Sequence, residues 1–216
     1  ALGFPVWGDE AFVAINFLRR DFAGMLRPLE YGQIVPVALM WGELGVTRLL
    51  GMSEWALRLL PFLAGIASVL LFRRFALIAL DARAALLAVG IFAASYYPVR
   101  HGTEVKPYAF DLLASLVLFS LAWSVCQQPR STPRWLALAA AAAASVWLSY
   151  PAAFVAAGVG LVLTCLLYRE RSGRAALLWL TYGVCLGGSF LAMFLISAGP
   201  HADAMWAPGA PDTLRY

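Results

Sequence analysis

Residues 135–168, WLALAAAAAASVWLSYPAAFVAAGVGLVLTCLLY, contain no charged side chain. At a rise of about 1.5 Å per residue, the stretch is too long for one helix across a hydrocarbon layer about 30 Å thick. Ser149-Tyr150-Pro151 is the natural break, because proline cannot continue a helix interior yet suits its first turn. Two membrane spans follow, 135–148 and 152–168. Outward from them, the apolar runs 57–72, 84–99, 108–126 and 175–197 read as further spans. Several are short, and flanking arginines lengthen such spans by snorkelling.

Composition agrees. Of the 216 residues, 62% are hydrophobic and 13% charged, and mean hydropathy is +0.76. A soluble domain is about 45–50% apolar and about 25% charged. The scarcity of charge excludes disorder, and the lack of a basic run excludes a nucleic-acid partner. The expected fold is all-α, a polytopic transmembrane helix bundle. Cys126, Cys165 and Cys185 are too far apart for a metal or disulfide framework and read as packing residues. The chain reads as a piece of a longer membrane protein.

Arginines set the sidedness. Arg73, Arg74 and Arg83 share one connection, Arg130 and Arg134 another, and Arg169, Arg171 and Arg174 a third. The alternate connections hold only Arg100 and Lys106 around 99–107, and no charge at Tyr150. The arginine-rich side is therefore cytoplasmic, a parity that requires 135–168 to be two spans. Residues 1–56 then form an external first loop, 57–197 the bundle of about six helices, and 198–216 the start of another external loop. Within the first loop, 34–50 is apolar, yet Glu43 and Arg48 make it a poor span. Each charge at a helix centre costs about 2.5–3.5 kcal/mol on insertion scales. An interfacial or re-entrant helix is expected there, with a second short helix over 9–20.

Polar groups gather in two places on the external side. Trp7-Gly8-Asp9-Glu10 puts two carboxylates together, which suits a general base that takes a proton from a hydroxyl, or ligands for a divalent cation. The same residues also suit an Asp N-cap with Glu in the first helical turn. Arg100-His101-Gly102-Thr103-Glu104-Val105-Lys106-Pro107-Tyr108 is the second place, with Asp111 one turn on. Pro107 fits a helix start and puts Tyr108 and Asp111 on one face. Arg100, His101 and Lys106 together can hold a phosphate, or the loop can simply meet lipid headgroups. His201, Asp203 and Trp206 carry no specific spacing and read as ordinary loop.

The order of these features resembles the type C glycosyltransferases. More narrowly, it resembles family 39, the superfamily of protein O-mannosyltransferases and lipid A aminoarabinose transferases. The resemblance rests on Gly8-Asp9-Glu10-Ala11-Phe12, Arg27-Pro28-Leu29-Glu30-Tyr31-Gly32-Gln33, Arg58-Leu59-Leu60-Pro61 and Phe72-Arg73-Arg74. It continues through Thr103-Glu104-Val105-Lys106-Pro107-Tyr108-Ala109-Phe110-Asp111 and Ser149-Tyr150-Pro151-Ala152-Ala153. It covers nearly the whole chain, but only the N-terminal half of a member.

The resemblance implies a membrane glycosyltransferase of inverting type C. One hexose or pentose would pass from a polyprenyl-phosphate-linked donor to an acceptor hydroxyl on a protein, lipid or glycan, at the non-cytoplasmic face. Asp9 maps onto the family's first-loop acid, the base, with Glu10 as its neighbour. Glu104 maps onto the second acidic position and Lys106 onto the basic position that meets the donor phosphate. Arg100, His101 and Arg27 would join that phosphate site, and Tyr108 would shape the pocket. Arg27-Pro28 stands where the aminoarabinose branch has Lys-Pro, and Lys106 replaces the commoner Arg, so the sugar stays open. The Arg- and Ala-rich, Lys-poor composition suits a GC-rich bacterial genome, and with the span parity and the resemblance the expected place is a bacterial cytoplasmic membrane with a periplasmic or extracellular active face. A transporter or flippase of a lipid-linked precursor would need polar groups through the membrane middle, where only Asp111 qualifies. A non-catalytic scaffold gives no reason for acids and bases to share one face.

Overall fold

The computed structural model describes residues 6–200, so His201, Asp203 and Trp206 lie outside the described residues. Those described are mostly helical, and no strand occurs among them. Helix α1 (Gly8–Arg19) starts after Trp7, the residue that occupies the N-cap. Asp9 is therefore not the cap itself. It sits with Glu10 in the first turn, where both carboxylates face the positive end of the helix dipole. Two 3₁₀ turns, Gly24–Leu26 and Glu30–Gly32, lead to α2 (Val37–Leu50). α2 stops at Gly51, whose φ of +83° favours a residue without Cβ.

The bundle begins with α3 (Glu54–Ala79), capped by the Ser53 hydroxyl, which accepts from Ala56 N–H. Next come α4 (Ala82–Ala94), the short α5 (Tyr96–His101), and α6 (Tyr108–Gln127), with Pro107 at its N-cap. α7 (Thr132–Ser145) and α8 (Ala152–Glu170) flank the expected break, and the Ser149 hydroxyl accepts from Ala152 N–H across it. α9 (Gly173–Met193) runs on into a π turn, Phe194–Ala198. Among the described residues, four helices are long and apolar enough to cross a membrane: α3, α6, α8 and α9 with its π turn. α4 and α7 occupy the other two expected spans. With 13 and 14 residues, each reaches only about 20 Å at about 1.5 Å per residue. Ser95 and the Tyr150 turn cut them short.

Two cores hold the chain together. The larger joins Leu118 of α6, Trp135 and Leu138 of α7, Ala156 and Leu163 of α8, and Tyr182 of α9. Gly160 lets the Tyr182 ring close in, and Tyr182 donates to Ala156 O at 2.6 Å. The smaller core packs Val13 and Phe17 of α1, Met25 and Leu29, and Leu39, Met40 and Leu44 of α2 against Leu57 and Val105. It fastens the first loop to one end of the bundle. Cys126, Cys165 and Cys185 are exposed rather than packed. They lie on the outward faces of α6, α8 and α9, beside exposed side chains such as Leu161 and Val184 that suit lipid.

Connections alternate between the two ends. Tyr150 donates to Val35 O at 3.2 Å, and Ala38 N–H donates to Trp147 O, so the first loop and the α7–α8 turn share an end. At the other end, Arg130 pairs with Glu170 at 3.5 Å and Arg174 donates to Thr132 at 2.7 Å. The arginine-rich connections thus lie opposite the first loop.

Within α2, Glu43 is 3% exposed and neither carboxylate oxygen has a hydrogen-bond partner among the described residues. Burial pushes its pKa up to about 9, so it is protonated at neutral pH. The unfolded chain loses that proton near the ordinary value of 4.5. Between those two values the folded state binds the extra proton, so stability falls as pH rises. Glu43→Gln mimics the protonated acid and is expected to raise stability at pH 7 by about 3 kcal/mol. Thermal unfolding in detergent should show a higher Tm for the variant and a weaker decline with pH. A variant Tm at or below wild type would contradict this.

Candidate active site

Helix α1 presents its two carboxylates in different directions, because adjacent helical residues lie about 100° apart. Glu10 faces inward. Its Oε2 accepts from Trp7 N–H at 3.0 Å and from Arg58 Nη2 at 3.0 Å, and its Oε1 accepts from Val105 N–H at 2.8 Å. Both side chains of the Glu10–Arg58 pair are 3% exposed. One buried carboxylate thereby joins the start of α1 to the first turns of α3 and to the loop before α6. Gly65 and Gly102 bring that loop against α3, since a Cβ on Gly65 would lie 3.5 Å from Gly102 Cα.

Asp9 faces outward, with a side chain 67% exposed, and its Oδ2 lies 3.3 Å from Lys106 Nζ. Lys106 also donates to Gln33 Oε1 at 3.3 Å, so the chain's one lysine is held between first-loop partners. Glu104 accepts from Arg100 Nε, and its Oε2 lies 2.9 Å from His101 Nδ1. Arg100 also donates to the Tyr96 hydroxyl at 3.1 Å. The bonds to Glu104 and then Tyr96 hold its guanidinium charged well beyond the ordinary range. The His101 ring sits between Tyr97 and Tyr108, with centroids 5.8 and 4.6 Å away.

Seven of the expected site residues, Asp9, Glu10, Arg100, His101, Glu104, Lys106 and Tyr108, line one cavity of about 280 Å³. They come from segments about 90 residues apart in sequence. His101 and Tyr108 also form part of a second cavity of about 530 Å³, whose walls are otherwise mostly apolar, including Phe62, Ile66, Val69 and Leu112. A polar chamber and an apolar one thus meet at a shared wall.

Arg27 is placed elsewhere. It lines a separate cavity with Arg19, Arg20 and Arg48. Asp9 begins α1 whereas Arg27 follows its far end, and the ten residues between Asp9 and Arg19 span about 15 Å. The Asp9–Glu10 pair does not fit a shared divalent cation, because Glu10 is already neutralised by Arg58 and accepts two backbone N–H groups. No group of three or more potential metal ligands occurs among the described residues. Arg58 and Gln33 belong to motifs that carry the resemblance, yet neither is named from the sequence as a site residue, although an arginine near the start of a long apolar helix implies a distant partner. Asp111 lies one turn into α6, and its Oδ1 is buried without a hydrogen-bond partner among the described residues.

No curated protein and no solved structure matches the chain. The family model described as dolichyl-phosphate-mannose-protein mannosyltransferase matches residues 35–198. The match includes Arg58, the 100–108 loop and the bundle, and leaves Asp9 and Glu10 upstream. The chain belongs to this family of membrane glycosyltransferases.

Proposed function

We propose that the protein moves one sugar from a polyprenyl-phosphate-linked donor to an acceptor hydroxyl at the non-cytoplasmic face. The observation that carries this reading is the junction of the two cavities at His101 and Tyr108. An amphiphile with an apolar tail and an anionic head suits such a junction, the tail among Phe62, Ile66 and Val69 and the phosphate toward Lys106 and Arg100. The arginine-rich connections at the opposite end support a cytoplasmic assignment for that end, so the polar cavity would open outside.

In this reading Asp9 takes the proton of the acceptor hydroxyl as its oxygen attacks the anomeric carbon. The bond from that carbon to the phosphate oxygen breaks, and polyprenyl phosphate leaves with its electron pair, with inversion at the sugar. Lys106 and Arg100 stabilise the charge that grows on the phosphate. Donor binding draws Lys106 from Asp9 toward the phosphate, which frees the carboxylate to accept the proton. Glu104 orients Arg100 and His101, and Glu10 is a positioning residue. The transporter and scaffold readings have no comparable observation in their favour.

The test is sugar transfer from a polyprenyl-phosphate-linked donor by the membrane-reconstituted protein. Lys106→Ala removes one charge-assisted contact to the phosphate, worth about 1.5–3 kcal/mol. It is therefore expected to raise the donor KM about tenfold or more. Unchanged kinetics in Lys106→Ala would remove the phosphate assignment.

A further inference from the structure

The second polar concavity lies where the C-terminal ends of α1 and α2 meet, and has a volume of about 690 Å³. Four arginines line it, Arg19, Arg20, Arg27 and Arg48, against one carboxylate, Asp21. Asp21 is already engaged, since its Oδ1 accepts from Gly24 N–H at 2.7 Å. Arg20 builds the floor: its Nη1 donates to Gly24 O and Arg27 O at 3.1 and 3.2 Å, and its Nη2 pairs with Glu30 at 3.4 Å. Arg19 and Arg48, in the last turns of their helices, have no hydrogen-bonded or ion-paired partner among the described residues.

Cations in the last turn of a helix complement its dipole, which accounts for Arg19 and Arg48 one at a time. It does not account for their convergence on one concavity with two further guanidinium groups. Arg20 is already paired with Glu30 at 3.4 Å, so the like charges left to repel are those of Arg19 and Arg48, and an anion between them relieves the repulsion. Guanidinium forks match phosphate oxygens in particular. The surroundings identify where that phosphate comes from. Leu18, Phe22, Leu49 and Leu50 are 66, 49, 85 and 48% exposed beside the arginines. Cations flanked by exposed apolar side chains on short helices form a surface that lies in a headgroup layer.

We propose that this concavity binds the phosphate of a membrane lipid, at a site distinct from the cavity around Lys106 and independent of the glycosyltransferase chemistry. The phosphate sits between Arg19 and Arg48, with Arg20 fixing the loop beneath it, and the acyl chains lie along Leu18, Leu49 and Leu50. The bound lipid fixes the C-terminal ends of α1 and α2 to the membrane plane, about 15 Å along α1 from Asp9.

The test is native mass spectrometry of the full chain released from mixed micelles of phosphatidylglycerol and phosphatidylcholine. Wild type is expected to retain phosphatidylglycerol. Arg19→Ala/Arg48→Ala is expected to lose about tenfold or more of that retention, on a value of about 1 kcal/mol per basic residue near a lipid surface. Arg130→Ala/Arg174→Ala, at the opposite end, serves as the control and should retain it. Both arginines are exposed, so the pair variant should keep the wild-type Tm. Should it unfold, Arg48→Gln alone makes the same comparison. Equal retention by wild type and the α1–α2 variant would overturn the proposal. So would displacement of the lipid by millimolar inorganic phosphate, which would mark a site for free anions. Polyprenyl-phosphate binding at Lys106 is expected to survive in the pair variant, so failure here and failure of the donor site are separable.

Discussion

Asp9→Asn is expected to lower the rate of sugar transfer by about 10²–10⁴-fold, the range for removing a general base. Asparagine keeps the shape of the side chain and can still occupy the first turn of α1, but it cannot take the acceptor's proton. Because Asp9 is 67% exposed and its one ion pair among the described residues is with Lys106, the substitution should leave folding intact. Donor binding should be unchanged or tighter, since Lys106 is then released for the phosphate. The readout is kcat with the donor KM beside it. A kcat within a fewfold of wild type would move the base to another residue, and Glu104 would be next.

Arg58→Ala should have the largest effect on stability. It strands the Glu10 carboxylate at a 3% exposed position, and breaking a buried ion pair from one side costs about 3–5 kcal/mol. Since Glu10 also holds Val105 N–H at 2.8 Å, the 103–107 loop loses its anchor and the cavity is misassembled. Transfer should fall together with Tm. Replacing the pair as a whole, Glu10→Gln/Arg58→Met, should restore much of the Tm, because removing both charges avoids an unpaired ion in the interior. A double-mutant cycle on Tm with Glu10→Gln, Arg58→Met and the pair variant measures this coupling. If the single and double variants are equally unstable, the pair is not the anchor.

Much of this arrangement was legible in the sequence, for physical reasons that differ by residue. Pro107 and Pro151 announce helix starts because proline tolerates the first turn and little else, and α6 and α8 begin one residue after each. Glu104, Lys106 and Tyr108 fall together because a short loop cannot scatter them. Their meeting with Asp9, about 95 residues away, was legible only through the resemblance and the parity of the spans. Local pattern does not encode which face of α1 turns inward. Hence the residues alone offer Asp9 and Glu10 as one carboxylate pair, and only the resemblance singles out Asp9, whereas the helix buries Glu10 against Arg58 and leaves Asp9 exposed beside Lys106. Arg27 misled for a similar reason: the first loop places it past the far end of α1, a distance that spacing alone does not reveal. Helices α4 and α7 are shorter than their apolar runs, because hydropathy continues through Ser95 and Trp147 although the backbone turns there. Glu43 was read as an obstacle to spanning, and its burial in α2 depends on packing that the 34–50 pattern does not specify.

The most direct measurement is lipid binding to the detergent-purified protein by native mass spectrometry, with polyprenyl phosphate offered beside ordinary phospholipids. Selective retention of polyprenyl phosphate, lost in Lys106→Ala and kept in Arg19→Ala/Arg48→Ala, is the predicted result. Retention no better than that of bulk phospholipid, or retention indifferent to Lys106, would contradict a donor site in the cavity around Asp9, His101 and Lys106.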